Sequence, residues 1–161
     1  MTDSDFDDYF GRGTELLHQG NAPEAIPLLE KAHTLKPNHI DATINLSGAY
    51  ILAGKFKKAV ALLEPLGERE PDNPMVWTNL GAAYLGNPVL AREQDQRRAI
   101  AAFERALEIQ PAVPNVAYNI GLIYRDRQET EEAAGWFRQA VKDNPNDRHA
   151  RRMLSKLTGS D

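Results

Sequence analysis

Three asparagines recur at matching points of this chain, and their side chains are the groups best suited to hold another molecule. Asn45, Asn79 and Asn119 are separated by 34 and 40 residues. A carboxamide carries one acceptor and two donors, so it can bond both the N–H and the C=O of an extended peptide. Each such bond contributes about 0.5–1.5 kcal/mol net. The row therefore indicates a surface that holds a peptide backbone; the alternative is that each asparagine only caps local helix contacts.

Residues that could support catalysis are present, but their spacing does not favour it. The four histidines are scattered, and none lies in an H-E-x-x-H or similar metal-binding spacing. The chain has no phosphate-binding loop, no Gly-x-Ser-x-Gly turn and no cysteine. The neighbouring acids Glu131 and Glu132 point in different directions on a helix and cannot share a substrate. We therefore expect a protein that is not an enzyme, with no metal and no cofactor.

Composition narrows the class of protein further. The chain has 161 residues, of which 26% are charged and 42% hydrophobic, with a net charge of −4. A nucleic-acid-binding domain would be expected to be basic. The acidic start has no apolar run typical of a signal peptide, and no stretch approaches the roughly 18 apolar residues of a membrane span. We expect a cytoplasmic protein without nucleic acid or membrane insertion.

A repeat positions the asparagines. Pro37, Pro71, Pro111 and Pro145 are separated by 34, 40 and 34 residues, and a period near 34 is typical of an array of helix pairs. If each proline is place 32 of a 34-residue unit, the units are 6–39, 40–73, 74–113 with six extra residues, and 114–147. A capping helix over about 146–157 completes a single domain, 1–161.

Each unit combines small and large residues in a fixed order. Place 8 is small, place 20 is alanine and place 24 is large: Gly13, Ser47, Gly81 and Gly121; Ala25, Ala59, Ala99 and Ala133; Leu29, Leu63, Phe103 and Phe137. Small residues let two helices approach closely, and the large ones fill the space beside them. The pattern predicts that the two helices of a unit pack against each other through these places.

The third unit resembles a known family. Trp77, Leu80, Gly81 and Tyr84, followed by Ala99, Phe103, Ala106 and Pro111, are similar to the W-x2-L-G-x2-Y…A-x3-F…P pattern of the tetratricopeptide repeat. The resemblance covers roughly residues 6–145. It implies an all-α, right-handed α-solenoid of antiparallel helix pairs, whose concave groove binds a protein or peptide partner.

The resemblance also implies which residues line the groove, because family members use places 2, 5, 6, 9, 12 and 13. The asparagines occupy place 6 and look like the asparagine ladder of some members. The expected peptide-binding set is Asn45, Asn79, Asn119, Phe10, Ile44, Met75, Thr78, Tyr118, Leu122 and Arg125. Leu17, Ile51, Leu52 and Leu85 should face the same groove. A largely apolar floor of this kind is typical of an interaction site.

One activity of the family is not expected here. Capture of acidic chaperone C-termini requires lysine and asparagine in the first unit, and lysine and arginine in the third. Those places hold Phe10, Thr14, Met75 and Asn79, so only Asn45 of the second unit remains.

Two segments depart from the repeat. Pro65 and Gly67 lie inside the second helix of unit two, where proline costs about 3 kcal/mol, so we predict a kink or an early end near Glu64–Leu66. In the insertion, Asn87 and Pro88 could cap and start a helix that runs to about Ile109. The other interpretation is a projecting element that contacts a partner or a second copy, with Val89 and Leu90 in need of cover.

The two ends of the chain differ in charge. Asp3, Asp5, Asp7 and Asp8 lie near the start, and Arg148, Arg151, Arg152 and Lys156 lie near the finish. These are either solvated tails or complementary surfaces. The main hypothesis is therefore a non-catalytic scaffold that binds a peptide in its groove. The alternative is a self-assembling module that uses its acidic and basic ends or the insertion.

Overall fold

Residues 2–160, which the computed structural model describes, form nine α-helices and no strand. Consecutive helices pack against each other along the whole array. The helices are α1 (Asp3–His18), α2 (Ala22–Leu35), α3 (Ile40–Leu52), α4 (Phe56–Arg69), α5 (Pro74–Leu85), α6 (Glu93–Ile109), α7 (Val116–Asp126), α8 (Thr130–Asp143) and α9 (Arg148–Thr158). Four helix pairs are thus followed by one terminal helix, which confirms the predicted all-α solenoid of helix pairs.

Close approach within each pair depends on the small residue at place 8. A Cβ added to Gly81 would lie 2.5 Å from two ring atoms of Phe103, and one added to Gly121 would lie 2.8 Å from the ring of Phe137. The same holds in the first pair, where Gly13 faces Leu29. All four place-20 alanines are fully buried. The predicted packing of small against large residues is confirmed.

Tyrosines of the first helices form hydrogen bonds to glutamates of the preceding pair. The hydroxyl of Tyr50 donates to Glu30 at 2.6 Å, and that of Tyr84 donates to Glu64 at 2.8 Å. In each case the tyrosine lies 20 residues after the glutamate. Tyr124 likewise lies 20 residues after Glu104. Burial is the main cause that raises the pKa of Tyr50, Tyr84 and Tyr124 above its usual value, and nearby glutamates reinforce it.

Of the two outcomes predicted for α4, a kink or an early end near Glu64–Leu66, the early end is wrong, because the helix continues through Pro65 to Arg69. Pro65 lies on the exposed side, and the carbonyl that loses its donor belongs to Ala61, which is also exposed. On the opposite side Leu63 and Leu66 are fully buried, and Gly67 packs against the ring of Trp77. Packing of the buried face therefore outweighs the cost of the proline.

The predicted helix start at Asn87 and Pro88 is also wrong, since α6 begins at Glu93. Asn87 instead stabilises a turn, in which its side chain accepts from the Val89 N–H at 3.0 Å and its carbonyl from the Leu90 N–H at 3.0 Å. The Arg92 N–H donates to the Asp95 carboxylate at 3.0 Å and marks the true helix start. The insertion is therefore a loop.

Candidate peptide-binding groove

The first helices of the pairs form the surface that the family resemblance predicts to be the groove. Helices α1, α3 and α5 contact each other in sequence, whereas α7 packs mainly against α6 and α8. Asn45, Asn79 and Asn119 lie at the same level of α3, α5 and α7, and all three are half-buried.

Two of the asparagines hold neighbouring first helices together. The amide nitrogen of Asn45 donates to the Thr14 hydroxyl at 3.0 Å. That of Asn79 donates to the Ser47 hydroxyl at 3.3 Å and to the Ile44 carbonyl at 3.4 Å. Their amide oxygens accept no bond from the described residues and are not buried. The side-chain nitrogen of each of these two asparagines therefore links two first helices, and its side-chain oxygen remains open as a hydrogen-bond acceptor.

Asn119 differs from the other two because its side chain forms no hydrogen bond within residues 2–160. The positions that correspond to Thr14 and Ser47 in the preceding pair are Ala82 and Gly81, which have no polar side chain. Its donors and its acceptor are thus all available. The sequence pattern predicts the same role for all three asparagines. They differ in their hydrogen bonds because the residues at places 8 and 9 of the preceding unit differ.

Apolar side chains flank the asparagine row on both sides. Leu52 is 62% exposed and Met75 is 47% exposed. At 1.5 Å per residue, Leu52 lies about 10 Å beyond Asn45 along α3, and Met75 lies about 6 Å before Asn79 along α5. A peptide held by the asparagines can therefore cover an apolar side chain on either side.

Other residues of the predicted peptide-binding set expose less surface to a ligand. Ile44 is only 8% exposed and belongs to the core, so it offers little surface to a ligand. Phe10 is half-buried and packs on His39 with ring centroids 5.3 Å apart. The Thr78 hydroxyl donates to the Pro74 carbonyl at 2.8 Å and is already engaged. Tyr118 and Leu122 of α7 are half-buried.

Arg125 is exposed, but its charge is partly neutralised. Its guanidinium pairs with Asp126 at 2.8 Å and lies 3.4 Å from the sulfur of Met153 on α9. Met153 comes 34 residues after Asn119, at the same place of the repeat. Helix α9 therefore continues the row of first helices, a relation that the 34-residue period could have shown.

The two charged ends differ in whether their charged side chains form ion pairs. Asp3 pairs with Lys36 at 3.0 Å, and Asp8 pairs with Arg12 at 3.2 Å. The basic residues of α9, by contrast, form no ion pair with any other described residue. They lie opposite the apolar side of α9, which buries Ala150.

Residues 2–160 contain neither a cluster of metal ligands nor a helix that could span a membrane. No group of three or more histidines or acids lies close enough together to hold a metal ion. No helix in this range combines the length and apolar character needed to cross a membrane.

Comparison with known proteins identifies the repeat. Sequence models described as tetratricopeptide repeat match residues 16–83 and 88–148. The chain is 28% identical over 157 residues to tetratricopeptide repeat protein 7B of Mus musculus, covering 88% of this chain and 18% of that protein. It is 33% identical over 84 residues to the photosystem I assembly protein Ycf3 of Synechococcus sp. (strain WH7803), covering 48% of this chain and 45% of that protein.

A solved structure shows the same fold. A thermophilic TPR protein of Thermus thermophilus superposes with a TM-score of 0.83 at 21% identity, covering 96% of this chain and 82% of that one. The chain spans less than half the length of either sequence relative. The matches of the family's sequence models to most of the chain, together with the shared fold, show that this chain belongs to the tetratricopeptide repeat family.

Proposed function

We propose that this chain is a non-catalytic protein-interaction scaffold that holds an extended segment of a partner against α3, α5 and α7. The observation that carries the proposal is the unpaired carboxamide of Asn119, in one row with the open amide oxygens of Asn45 and Asn79. The name of the Synechococcus relative, an assembly protein, is consistent with a role in bringing other proteins together.

The three asparagines have different tasks in this proposal. Asn45 and Asn79 accept from peptide N–H groups, whereas Asn119 both donates and accepts. Helices α3 and α5 are in contact, and packed helices lie roughly 8–10 Å apart. An extended peptide rises about 3.3 Å per residue, so Asn45 and Asn79 meet the peptide about three residues apart. The bonds contribute about 0.5–1.5 kcal/mol each, and burial of apolar partner side chains on Leu52 and Met75 supplies further affinity.

The test compares single variants in affinity capture from the source cell's lysate. Asn119→Ala is expected to lose partners that the wild type retains, while its thermal midpoint stays the same because no bond within the protein is removed. Asn146→Ala is the matched control, since that residue is exposed and lies outside the groove. Asn45→Ala should lower the thermal midpoint, because it removes the bond to Thr14.

Partners shared by wild type and Asn146→Ala but lost by Asn119→Ala and Leu52→Ser would support the groove as the binding surface. Identical partner lists for all four proteins would contradict it.

A further inference from the structure

A large cavity of the described chain lies where the insertion meets the second pair. This insertion pocket has a volume of about 710 Å³ and is lined by α4, the end of α5, the loop and the start of α6. Smaller depressions of about 600 Å³ and 320 Å³ occur at the equivalent junctions before and after it. The pocket is therefore a regular feature of the array that the insertion has enlarged.

One apolar side chain of its wall, that of Phe56, has no counterpart in the other repeats. Phe56 occupies a place that is alanine, glutamine or threonine in the other units, at Ala22, Gln96 and Thr130. The ring of Phe56 lies 3.4 Å from where a Cβ of Gly86 would be, and Gly86 has a φ of +60° that favours glycine. The insertion and Phe56 together form one wall.

Two of the charged residues that line the pocket, Glu64 and Arg98, already have partners. Glu64 accepts from Tyr84 at 2.8 Å and from Arg98 at 3.3 Å, and the Arg98 guanidinium lies 4.0 Å from the centre of the Tyr84 ring. An ionic ligand would have to break these contacts. The pocket is thus suited to an apolar group.

Two exposed apolar side chains, those of Val89 and Leu90, lie beside the opening of the pocket. Val89 is 90% exposed and Leu90 is 76% exposed, and Leu90 itself lines the rim. The same surface therefore carries both a projection and a cavity, which is the property required of an isologous, twofold interface. Charges around it are mixed, since Lys57 and Asp95 both line the pocket and Arg97 pairs with Glu93. Two copies therefore do not repel each other through a single sign.

We propose that this surface binds a second copy of the chain, with the Val89–Leu90 tip of each copy inserted in the insertion pocket of the other. A twofold contact of this kind closes at a dimer. The pocket is lined by α4, the loop, the end of α5 and the start of α6, and none of the three groove asparagines lines it. The dimer is therefore independent of peptide binding and leaves both grooves open.

Sedimentation velocity from about 1 μM to about 1 mM tests the proposal, a range that covers weak to moderate association. The wild type is expected to shift from monomer to dimer and no further. The double variant Val89→Ser, Leu90→Ser should raise the dissociation constant at least about tenfold. Leu52→Ser is the matched control, because it removes an apolar side chain of similar exposure outside this surface, and it should dimerise like the wild type.

Cross-linking locates the contact. The chain has no cysteine, so introduced thiols report only on the sites chosen. Chains with Val89→Cys mixed with chains with Ala61→Cys, a residue of the pocket wall, are expected to form disulfides with each other. Chains with Val89→Cys mixed with chains with Leu52→Cys are not.

Three outcomes would overturn the proposal. The first is a wild type that stays monomeric over the whole range. The second is a loop variant, shown by circular dichroism to be folded, that dimerises like the wild type. The third is assembly that grows beyond a dimer and dissolves in about 0.5 M salt, where screening is strong; this would assign the contact to the acidic and basic ends instead.

Discussion

The close contact between Gly81 and Phe103 leads to a sharp prediction about stability. Replacement by alanine would place a Cβ 2.5 Å from two ring atoms of Phe103, whereas carbon atoms normally pack about 3.5–4.0 Å apart. Phe103 is fully buried, so its ring has little room to move. Overpacking of this kind costs typically about 1–3 kcal/mol. The gain in helix propensity from glycine to alanine offsets about 1 kcal/mol of that cost.

Gly135 provides the matched control, because it lies inside α8 and a Cβ there would meet nothing within 4 Å. Gly135→Ala should therefore raise the free energy of unfolding by up to about 1 kcal/mol. The difference between the two variants isolates the steric term, which we expect to be about 1–3 kcal/mol in favour of Gly135→Ala.

Urea denaturation followed by circular dichroism at equal protein concentration measures this difference. A second variant, Gly81→Ala with Phe103→Leu, removes the ring that the new methyl group meets. We expect a favourable coupling energy of about 0.5–3 kcal/mol in the double-mutant cycle. If Gly81→Ala were as stable as Gly135→Ala, or if the cycle showed no coupling, the reasoning that a small residue at place 8 permits helix packing would be refuted.

Two further predictions concern the junctions and α4. Because the pKa values of Tyr50, Tyr84 and Tyr124 are raised on folding, their contribution to stability is complete below the unfolded value near 10 and is lost as pH rises above it. Urea titrations should show a free energy of unfolding that falls above pH 10, with a smaller slope in Tyr50→Phe; a constant value would contradict this. Pro65→Ala should raise the free energy of unfolding by roughly 1–2 kcal/mol. The substitution restores an N–H donor for the Ala61 carbonyl, but it also frees the unfolded chain from the restraint of the proline ring, which offsets about 1 kcal/mol of the gain. An unchanged or lower denaturation midpoint would count against this account of α4.

Sequence alone was sufficient where a residue's role depends on its own repeat. Gly81 with Phe103, and the alanines at place 20, could be assigned from the 34-residue period because each contact joins two helices of one pair. That Leu52 and Met75 lie on the groove stays a prediction from the family resemblance. Their exposure could not be deduced in the same way, since Ile44, in the same predicted set, is buried.

Only the tertiary structure decided the features that depend on neighbouring elements. Pro65 remains helical because Leu63 and Leu66 on the opposite side are buried by other helices. The insertion is a loop because Asn87 bonds to the residues that follow it rather than capping α6. Asn45 and Asn79 bond across to the preceding first helix, whereas the corresponding residues before Asn119 are Gly81 and Ala82, which have no polar side chain. The periodic sequence determined which residues face inward within each pair, since that depends on local helix geometry. Contacts between pairs join residues some 20 to 35 positions apart, and their side chains meet only once the array has formed.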